Sequence, residues 1–358
     1  MNRPQLPTCA AGIAAAWLIL AAVLCGVVGA DPQATADNPY AGVLQQNRVD
    51  VSSLPTDRFT APISRLPPTD VWQPNAEAWE TDGGASDGDI PPEVLARLRR
   101  PFFDLAAEWE PESAGFEIAS YDLSVRMATP PIFGPPPPFL KAGFSLTDIV
   151  APAAADLPAE LYDVSLGFDW MRPINDRWMM RLTFAPAYAS DGKNNSSDAW
   201  QFRGAVLGIR QTGETLQLVV GAVASGRRDF PVFPGAGAIW KPSPDFRLDL
   251  VFPQPRASWR ISDDGSRQQW LYVGGGISGG TWAYQRIAGL DEVLTYNEWR
   301  VLVGWQWVPA PKPGVALSIG HKVAVELGYV FGREFEFDSP APDIQLDDTL
   351  LLRATFGF

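Results

Sequence analysis

The chain has 358 residues, of which 46% are hydrophobic and 19% are charged, a balance typical of a folded protein with a large apolar surface. Its 28 basic and 41 acidic side chains give a formal net charge of −13. This acidity argues against nucleic acid and against anionic cytoplasmic leaflets as partners. The chain contains 14 tryptophans, a residue favoured where one part of the ring is apolar and the other is wet, as at a membrane interface.

The first 30 residues have the pattern of a secretory signal peptide. Arg3 precedes an apolar run that extends to Val28, and small residues there offer a cleavage site after Ala30. The run is also long enough for an uncleaved membrane anchor, which is the alternative interpretation. The two cysteines, Cys9 and Cys25, lie in this segment. We therefore expect an exported chain without a disulfide, a cysteine metal site or a thiol nucleophile.

Residues 31–112 are rich in Pro, Asp, Ala and Ser, and no alternation of apolar and polar positions persists in them. This composition predicts a mostly disordered extension. One short helix is expected over 92–104, because Pro92 suits a first helical turn and Leu95 and Leu98 belong to an apolar stripe. The predicted organisation is thus a signal peptide (1–30), an extension (31–112) and a folded region (113–358).

From residue 113 onward the hydrophobic pattern has a period of two. In one segment Val164 and Leu166 fall on one face, whereas Asp163 and Ser165 fall on the other. Segments with such alternation over roughly 9–11 residues are typical of transmembrane barrels. The predicted fold class is all-β, a transmembrane antiparallel up-and-down barrel of about 12 strands, in a range of about 10 to 14, with the disordered N-terminal extension before it.

Two of the predicted segments could each form one strand or two. Pro253 and Pro255 interrupt the segment 245–262, and proline cannot donate a hydrogen bond to a strand ladder. Several glycines between Gly274 and Gly280 interrupt the segment 267–286. These interruptions set the width of the predicted range of strand numbers.

The alternation itself does not say which face is inside. In a soluble β-sandwich the apolar face forms the core, whereas in a membrane barrel it contacts lipid and the opposite face lines the interior. The apolar faces here are uniform and rich in aromatic residues, and the opposite faces mix small residues with single charges. These features favour the membrane barrel, and a secreted soluble ligand-binding β-protein is the alternative.

The final segment, LLLRATFGF, predicts the strand that closes the barrel. Leu350, Leu352, Phe356 and Phe358 lie on one apolar face, and the aromatic residue at the end suits an interface belt. We expect these four residues to serve barrel closure and recognition by a barrel assembly machinery. An ordinary buried strand is the alternative. The expected partners are the outer-membrane lipid and this machinery, and a homo-oligomer is left open.

Charged residues on the presumed inner face are the candidates for lining the lumen. Their signs are mixed, whereas a strongly selective ion pore is lined mainly by one sign. Mixed signs suit either a weakly selective pore or a lumen closed by paired charges. The candidate lumen-lining residues are Lys141, Asp163, Asp169, Arg181, Arg247, Asp249, Glu298, Arg300, Lys322, Glu326 and Arg353.

The sequence gives little support to catalysis or to a metal site. It contains one histidine, His321, on the opposite parity from the nearby Ser318. The oxygen-rich loop 191–198 lacks the spacing of a known calcium loop, so a solvated loop is the preferred interpretation. We therefore predict no enzyme activity, no metal and no cofactor.

Four segments of residues 115–358 resemble a family of uncharacterised bacterial outer-membrane β-barrels, known only as a domain of unknown function. The segments are 242–262, NEWRVLVGWQW (297–307), VELGYVFGREFEF (325–337) and DDTLLLRATFGF (347–358). The resemblance implies the barrel fold and a location in the outer membrane, without an activity. Our leading functional hypothesis is a porin-like passive channel for small solutes, and the rival is a closed structural or interaction barrel without conductance.

Overall fold

The computed structural model describes residues 100–130, 136–310 and 321–358. Apart from two short 3-10 helices, Ala153–Ala155 and Ser197–Ala199, its regular elements are strands. In chain order the strands are β1 (Phe102–Ser113), β2 (Phe116–Ala128), β3 (Phe139–Val150), β4 (Glu160–Asn175), β5 (Trp178–Ser190), β6 (Trp200–Gln211), β7 (Leu216–Ala224), β8 (Val232–Ser243), β9 (Phe246–Val251), β10 (Arg256–Asp263), β11 (Arg267–Gln285), β12 (Asp291–Pro309), β13 (Lys322–Phe337), β14 (Ile344–Leu346) and β15 (Thr349–Gly357).

Fourteen of these strands form a closed antiparallel barrel. Each of β1 to β13 pairs with the next strand along the chain, and β15 closes the ring by pairing with both β13 and β1. The three-residue β14 pairs with the end of β13 and is not a member of the ring. The predicted all-β barrel is therefore confirmed, with a strand number at the upper limit of the predicted range. The part of the chain that is described contains no helix with the length and apolarity to span a membrane.

Two differences explain why the ring has 14 strands instead of about 12. The segment 245–262 forms two strands, β9 and β10, because residues 252–255, with their two prolines, make a turn. In addition, β1 begins at Phe102, inside the range that the sequence assigns to the extension. Residues 102–104 of the predicted helix belong to this strand, so the folded region starts before residue 113. Residues 92–99 of that helix, residues 31–99 of the predicted extension and the predicted signal peptide lie outside the described residues.

The two ends of the barrel differ. At one end, which we call the terminal rim, β1 begins and β15 ends, and Phe103 and Phe358 exchange two backbone hydrogen bonds of 2.9 Å. Several strand pairs there are joined by short turns such as 264–266, where bonds from the hydroxyl and N–H groups of Ser266 hold the pKa of Asp264 below its ordinary value. At the other end, the loop rim, longer connections such as 151–159, 191–199 and 225–231 join the strands.

Alternate side chains of the strands face outward and inward, as the period of two requires. The outward positions are large, apolar and exposed, as for Leu166 in β4, Val301 in β12 and Leu350 in β15. The inward positions are buried and many are polar or charged. The apolar face of each predicted strand is thus the outer surface of the barrel.

The second half of β11 separates from β10, stays paired with β12 and crosses the loop rim. β11 pairs with β10 as far as Gly274, but further along Ala283 pairs with Ser190 of β5, which is separated from β11 by five strands of the ring. We call this crossing segment, Ile277–Gln285, the strap. Glycine makes the departure feasible: a Cβ atom on Gly276 would lie 2.0 Å from the carbonyl oxygen of Pro253. The glycines that the sequence shows at 274–280 therefore bend one strand instead of dividing it.

Candidate functional site

The barrel interior holds the residues that the sequence predicts as lumen-lining. All eleven lie on inward-facing strand positions. Asp169, Glu326 and Arg353 are half-buried, and the other eight are buried. What this interior can do depends on whether water or other side chains solvate these charges, because a charge buried without a partner is costly.

Three arginines of the interior form pairs with aspartates. Arg181 donates from Nε to Asp169 Oδ1 at 3.1 Å, between neighbouring strands β5 and β4. Arg247 donates from Nε to Asp249 Oδ1 at 2.8 Å, within β9. Asp163 is paired with Arg203 of β6, through Nη1 and Oδ1 at 3.2 Å.

A larger group of charges, which we call the buried charge network, connects β1 with β12 and β13. Arg300 donates to Glu108 Oε2 at 3.0 Å and is also paired with Glu298.

The network continues through the buried Tyr296 and through the pair of Arg333 with Glu110. The Tyr296 hydroxyl lies 2.8 Å from carboxylate oxygens of both Glu298 and Glu110. Arg333 donates from Nη2 to Glu110 Oε2 at 3.0 Å, and both of these side chains are fully buried.

The network extends around the interior through β15, β11 and β10. Arg353 lies 3.7 Å from Glu326 and 3.9 Å from Glu108. The Tyr272 hydroxyl donates to Glu326 at 2.6 Å, and the guanidinium carbon of Arg256 lies 3.4 Å from the centre of the Tyr272 ring. Acidic and basic groups alternate along the chain of contacts, so the charges largely neutralise one another. The remaining predicted residues, Lys141 and Lys322, are buried elsewhere in the interior.

Three carboxylates of the network are close enough to share a cation. Oxygen atoms of Glu108, Glu110 and Glu298 lie within 4.8 Å of one another. However, Arg300 and Arg333 already contact these carboxylates at 3.0 Å. The arginines supply the positive charge that a cation would otherwise bring, so the group is organised as a set of ion pairs.

Apolar side chains fill the interior at the loop rim. They lie on the same inward-facing side of the strands as the polar residues further from this rim. In β2, for example, Phe116 and Ile118 share a face with Ser120 and Asp122. This mouth cluster consists of Phe116, Ile118, Ile149, Leu161, Ala189, Trp282, Tyr284, Leu294, Tyr296, Phe335 and Leu346. Two of its members, Trp282 and Tyr284, belong to the strap. The interior is therefore closed at this end by packed side chains and the strap.

Side chains from loops hold the free edge of the strap. Asn194 donates from Nδ2 to the carbonyl oxygens of Tyr284 at 3.2 Å and Glu292 at 3.3 Å. Asp191 accepts from the N–H of Gln285 at 3.1 Å. These residues belong to the loop 191–198, which its composition predicts to be solvated. That interpretation is wrong for Asn194, which is buried.

A buried glutamine holds the middle of the strap, and its removal is a direct test of this attachment. Gln201 donates to the carbonyl oxygen of Thr281 at 2.6 Å. We expect Gln201→Leu to lower the free energy of unfolding by about 1–3 kcal/mol, because the partner groups are left buried without a hydrogen bond. The measurement is a urea titration followed by tryptophan fluorescence.

Gln217 provides the matched control for this change. It is buried too, but its amide oxygen has no hydrogen-bond partner among the described residues. Gln217→Leu should therefore be close to neutral. Equal losses in the two variants would contradict the role given to Gln201.

Several charged residues of the interior are absent from the predicted lumen-lining set, among them Asp104, Asp122, Glu108, Glu110, Arg203 and Arg333. The two glutamates lie in β1, which the composition does not reveal as a strand. Arg203 shares its face with Gln201 in a segment where alternation could have found it. Arg333 shares its odd number with the outward-facing Phe331, but a β-bulge against β12 places the arginine on the inside.

Of the four residues predicted for barrel closure, Leu350, Leu352 and Phe356 lie on β15, and Phe358 directly follows this strand. Leu350, Leu352 and Phe358 are exposed on the outer surface, and Phe356 is half-buried. The ring of Phe358 stacks on that of Phe103 with a centroid distance of 5.3 Å, next to the start of β1. Their role in recognition by an assembly machinery stays a prediction.

A family model described as "Domain of unknown function (DUF6268)" matches residues 151–339. The predicted relation to an uncharacterised family is thereby confirmed, over a shorter range than 115–358. No curated protein matches the sequence.

Solved structures of several outer-membrane proteins are similar to the chain, all at low identity. A bacterial polysaccharide outer membrane secretin has a TM-score of 0.38 and 8% identity over 73% of this chain and 98% of that chain. An outer membrane channel from Pseudomonas putida F1 has a TM-score of 0.34 and 11% identity, with coverages of 78% and 99%. The KdgM porin has a TM-score of 0.31 and 6% identity, with coverages of 72% and 98%. Likenesses of this size do not assign a function.

Proposed function

The chain belongs to the family of unknown function DUF6268, and we propose that it is an outer-membrane β-barrel with a porin-like passage for small solutes. The observation that carries the membrane assignment is the outer surface. Exposed large apolar side chains recur along most of the strands, for example Leu166, Val206, Val301, Leu327 and Leu350. In water such a surface would cause association, whereas in a bilayer it is the face that lipid requires.

The proposed passage runs along the barrel axis. Fourteen strands enclose a wider space than an eight-stranded barrel, whose interior side chains can fill. Polar residues such as Ser124, Ser145 and Thr355 face this space below the mouth cluster. The strap closes the loop rim in the described conformation, so passage requires the strap to move. The first barrel strand, β1, begins at the terminal rim, and the last, β15, ends there. In this proposal the terminal rim is therefore the periplasmic side, and the loop rim faces outward from the cell.

The rival candidate, a closed barrel without conductance, is favoured by the charge pairs. An interior that water solvates has no need of partners for its arginines, yet Arg181, Arg247 and Arg300 each have one. The two candidates differ in one measurable property, which is the conductance of the intact protein in a planar bilayer.

A reversible cross-link of the strap separates the two candidates. Ser190 and Ala283 are paired neighbours in the two strands, which suits a disulfide. The natural cysteines lie only at positions 9 and 25. If the passage opens by movement of the strap, the variant S190C/A283C conducts when reduced and stops conducting when oxidised. If neither the wild type nor the reduced variant conducts, the result would favour the closed barrel without conductance.

The outer surface provides an independent test of the membrane assignment. Leu352 faces outward in the middle of β15. We expect Leu352→Arg to cost about 2–4 kcal/mol of stability in lipid vesicles, because a charge on the lipid face is poorly solvated. Ile287 is the control: it is exposed in a loop, and Ile287→Arg should have almost no effect. Equal effects at the two positions, or full solubility of the wild type without detergent, would contradict the membrane assignment.

A further inference from the structure

The barrel wall has a gap near the loop rim, between β8 and β11. The strands β9 and β10 are short, so pairing ends at Gly237–Val251 on one side and at Arg256–Gly274 on the other. Beyond these pairs, β8 and β11 continue on either side of the turn 252–255. We call the gap above this turn the wall notch.

The wall notch contains a cavity of about 380 Å³ with an almost wholly apolar lining. Its floor is the turn with Phe252 and Pro253, and Ile277 of the strap contributes one wall. The lining residues are Arg227, Phe230, Val232, Phe233, Pro234, Phe252, Pro253 and Ile277. Three of them are phenylalanines, and the rings of Phe233 and Phe252 stand edge to face with centroids 6.0 Å apart.

The one charged residue of the lining is already neutralised. Arg227 donates to Asp229 from Nε at 2.9 Å and from Nη2 at 2.6 Å. Its Nη1 donates to the carbonyl oxygen of Ser278 in the strap at 3.1 Å. An anionic ligand would have to displace Asp229, so the wall notch suits a neutral molecule.

The volume of the cavity limits the size of this molecule. An apolar cavity of about 150 Å³ in another protein stays dry and takes up benzene. The cavity of the wall notch is more than twice as large, which gives room for two fused rings. Aromatic side chains favour aromatic ligands through edge-to-face and offset contacts.

We propose that the wall notch binds a small neutral aromatic molecule of one or two rings. The site goes beyond the proposed passage, because it is a pocket in the barrel wall and its lining differs from the polar interior. It requires neither conductance nor a movement of the strap.

The test uses the full-length protein in lipid nanodiscs with 1-fluoronaphthalene as the probe, observed by 19F NMR. We expect a saturable resonance of bound probe in addition to the signal of probe dissolved in lipid. Val232, exposed in the lining, is replaced by tryptophan to fill the cavity, and Val220, similarly exposed on the outer face of β7, receives the same change as the control. Val232→Trp should weaken binding by about tenfold or more, and Val220→Trp should leave it unchanged.

A second variant keeps the proposal testable if Val232→Trp does not fold. Phe230 lies in the loop between β7 and β8 and is exposed, so Phe230→Ser should preserve the barrel and still weaken binding. The absence of a saturable resonance in the wild type would overturn the proposal and would indicate that lipid tails occupy the notch. Equal binding by wild type, Val232→Trp and Phe230→Ser would overturn it as well.

Discussion

Replacing Arg333 with leucine should lower the free energy of unfolding by about 3–5 kcal/mol, because the change leaves a buried glutamate without its counter-charge. Arg333 and Glu110 are both fully buried and lie 3.0 Å apart. Arg333 also donates to the Tyr296 hydroxyl and to the carbonyl oxygen of Asp347, each at 2.9 Å. Because both side chains are fully buried, water cannot replace these contacts when the arginine is removed. The measurement is a urea titration of the protein in lipid vesicles.

Two further variants define the origin of this loss. Arg333→Leu combined with Glu110→Leu should recover part of the stability, because the uncompensated charge is removed together with its partner. Arg210→Leu is the surface control: Arg210 is exposed on β6 above the Trp178 ring, and its loss should change stability by no more than about 1 kcal/mol. A similar small change for Arg333→Leu would mean that water reaches this pair, and it would contradict the role given to the buried charge.

Gly279→Ala should displace the strap and destabilise the closed mouth by about 3 kcal/mol or more, since two costs add up. The backbone of Gly279 has a φ of +120°, a conformation that residues other than glycine rarely adopt. An added Cβ would also lie 1.9 Å from the carbonyl oxygen of Tyr296 in β12. If the strap closes a passage, the same variant should raise the conductance of the protein in a planar bilayer.

A second glycine separates backbone strain from the steric clash. Gly265 has a φ of +79°, and a Cβ built on it meets nothing within 4 Å. Gly265→Ala should therefore cost only about 1 kcal/mol and leave the conductance unchanged. If both alanine variants behaved alike, the close approach of the strap to β12 would have no energetic importance.

The period of two predicted most of this barrel, because outward-facing and interior positions alternate along a regular strand. It also predicted which face is apolar: Val164 and Leu166 in β4, and Leu350 and Leu352 in β15, are all exposed on the outside. What the alternation could not supply was the partner of each inward charge. Partners such as Asp163 and Arg203 lie on strands that neither neighbour each other nor are adjacent in sequence.

The first strand escaped prediction for a physical reason. Glu108 and Glu110 are acidic residues between prolines, a composition that normally indicates a solvated segment. They are buried here because Arg300 and Arg333, 192 and 223 residues further along the chain, neutralise them. A pattern confined to one segment cannot contain this information. The same holds for the strap, whose contact with β5 depends on a bend at glycines and not on any alternation.

Because of the bulge in β13, odd and even residue numbers do not identify the inward face along the whole strand. Up to Phe331 the odd-numbered residues of this strand face outward, but the register shift opposite Asn297–Trp299 turns Arg333 and Phe335 inward. One extra residue thus reverses both faces of the strand beyond that point.

This arrangement of distant partners has a consequence for how the ring is completed. Until β12 and β13 have arrived, Glu108 and Glu110 lack their closest arginine contacts, those with Arg300 and Arg333, and their desolvation opposes any partly closed ring. A slip of β13 by one residue would turn Arg333 outward and leave Glu110 stranded. We therefore expect ring closure and charge neutralisation to occur as one cooperative event, in which Arg300 and Arg333 disfavour a barrel closed in the wrong register.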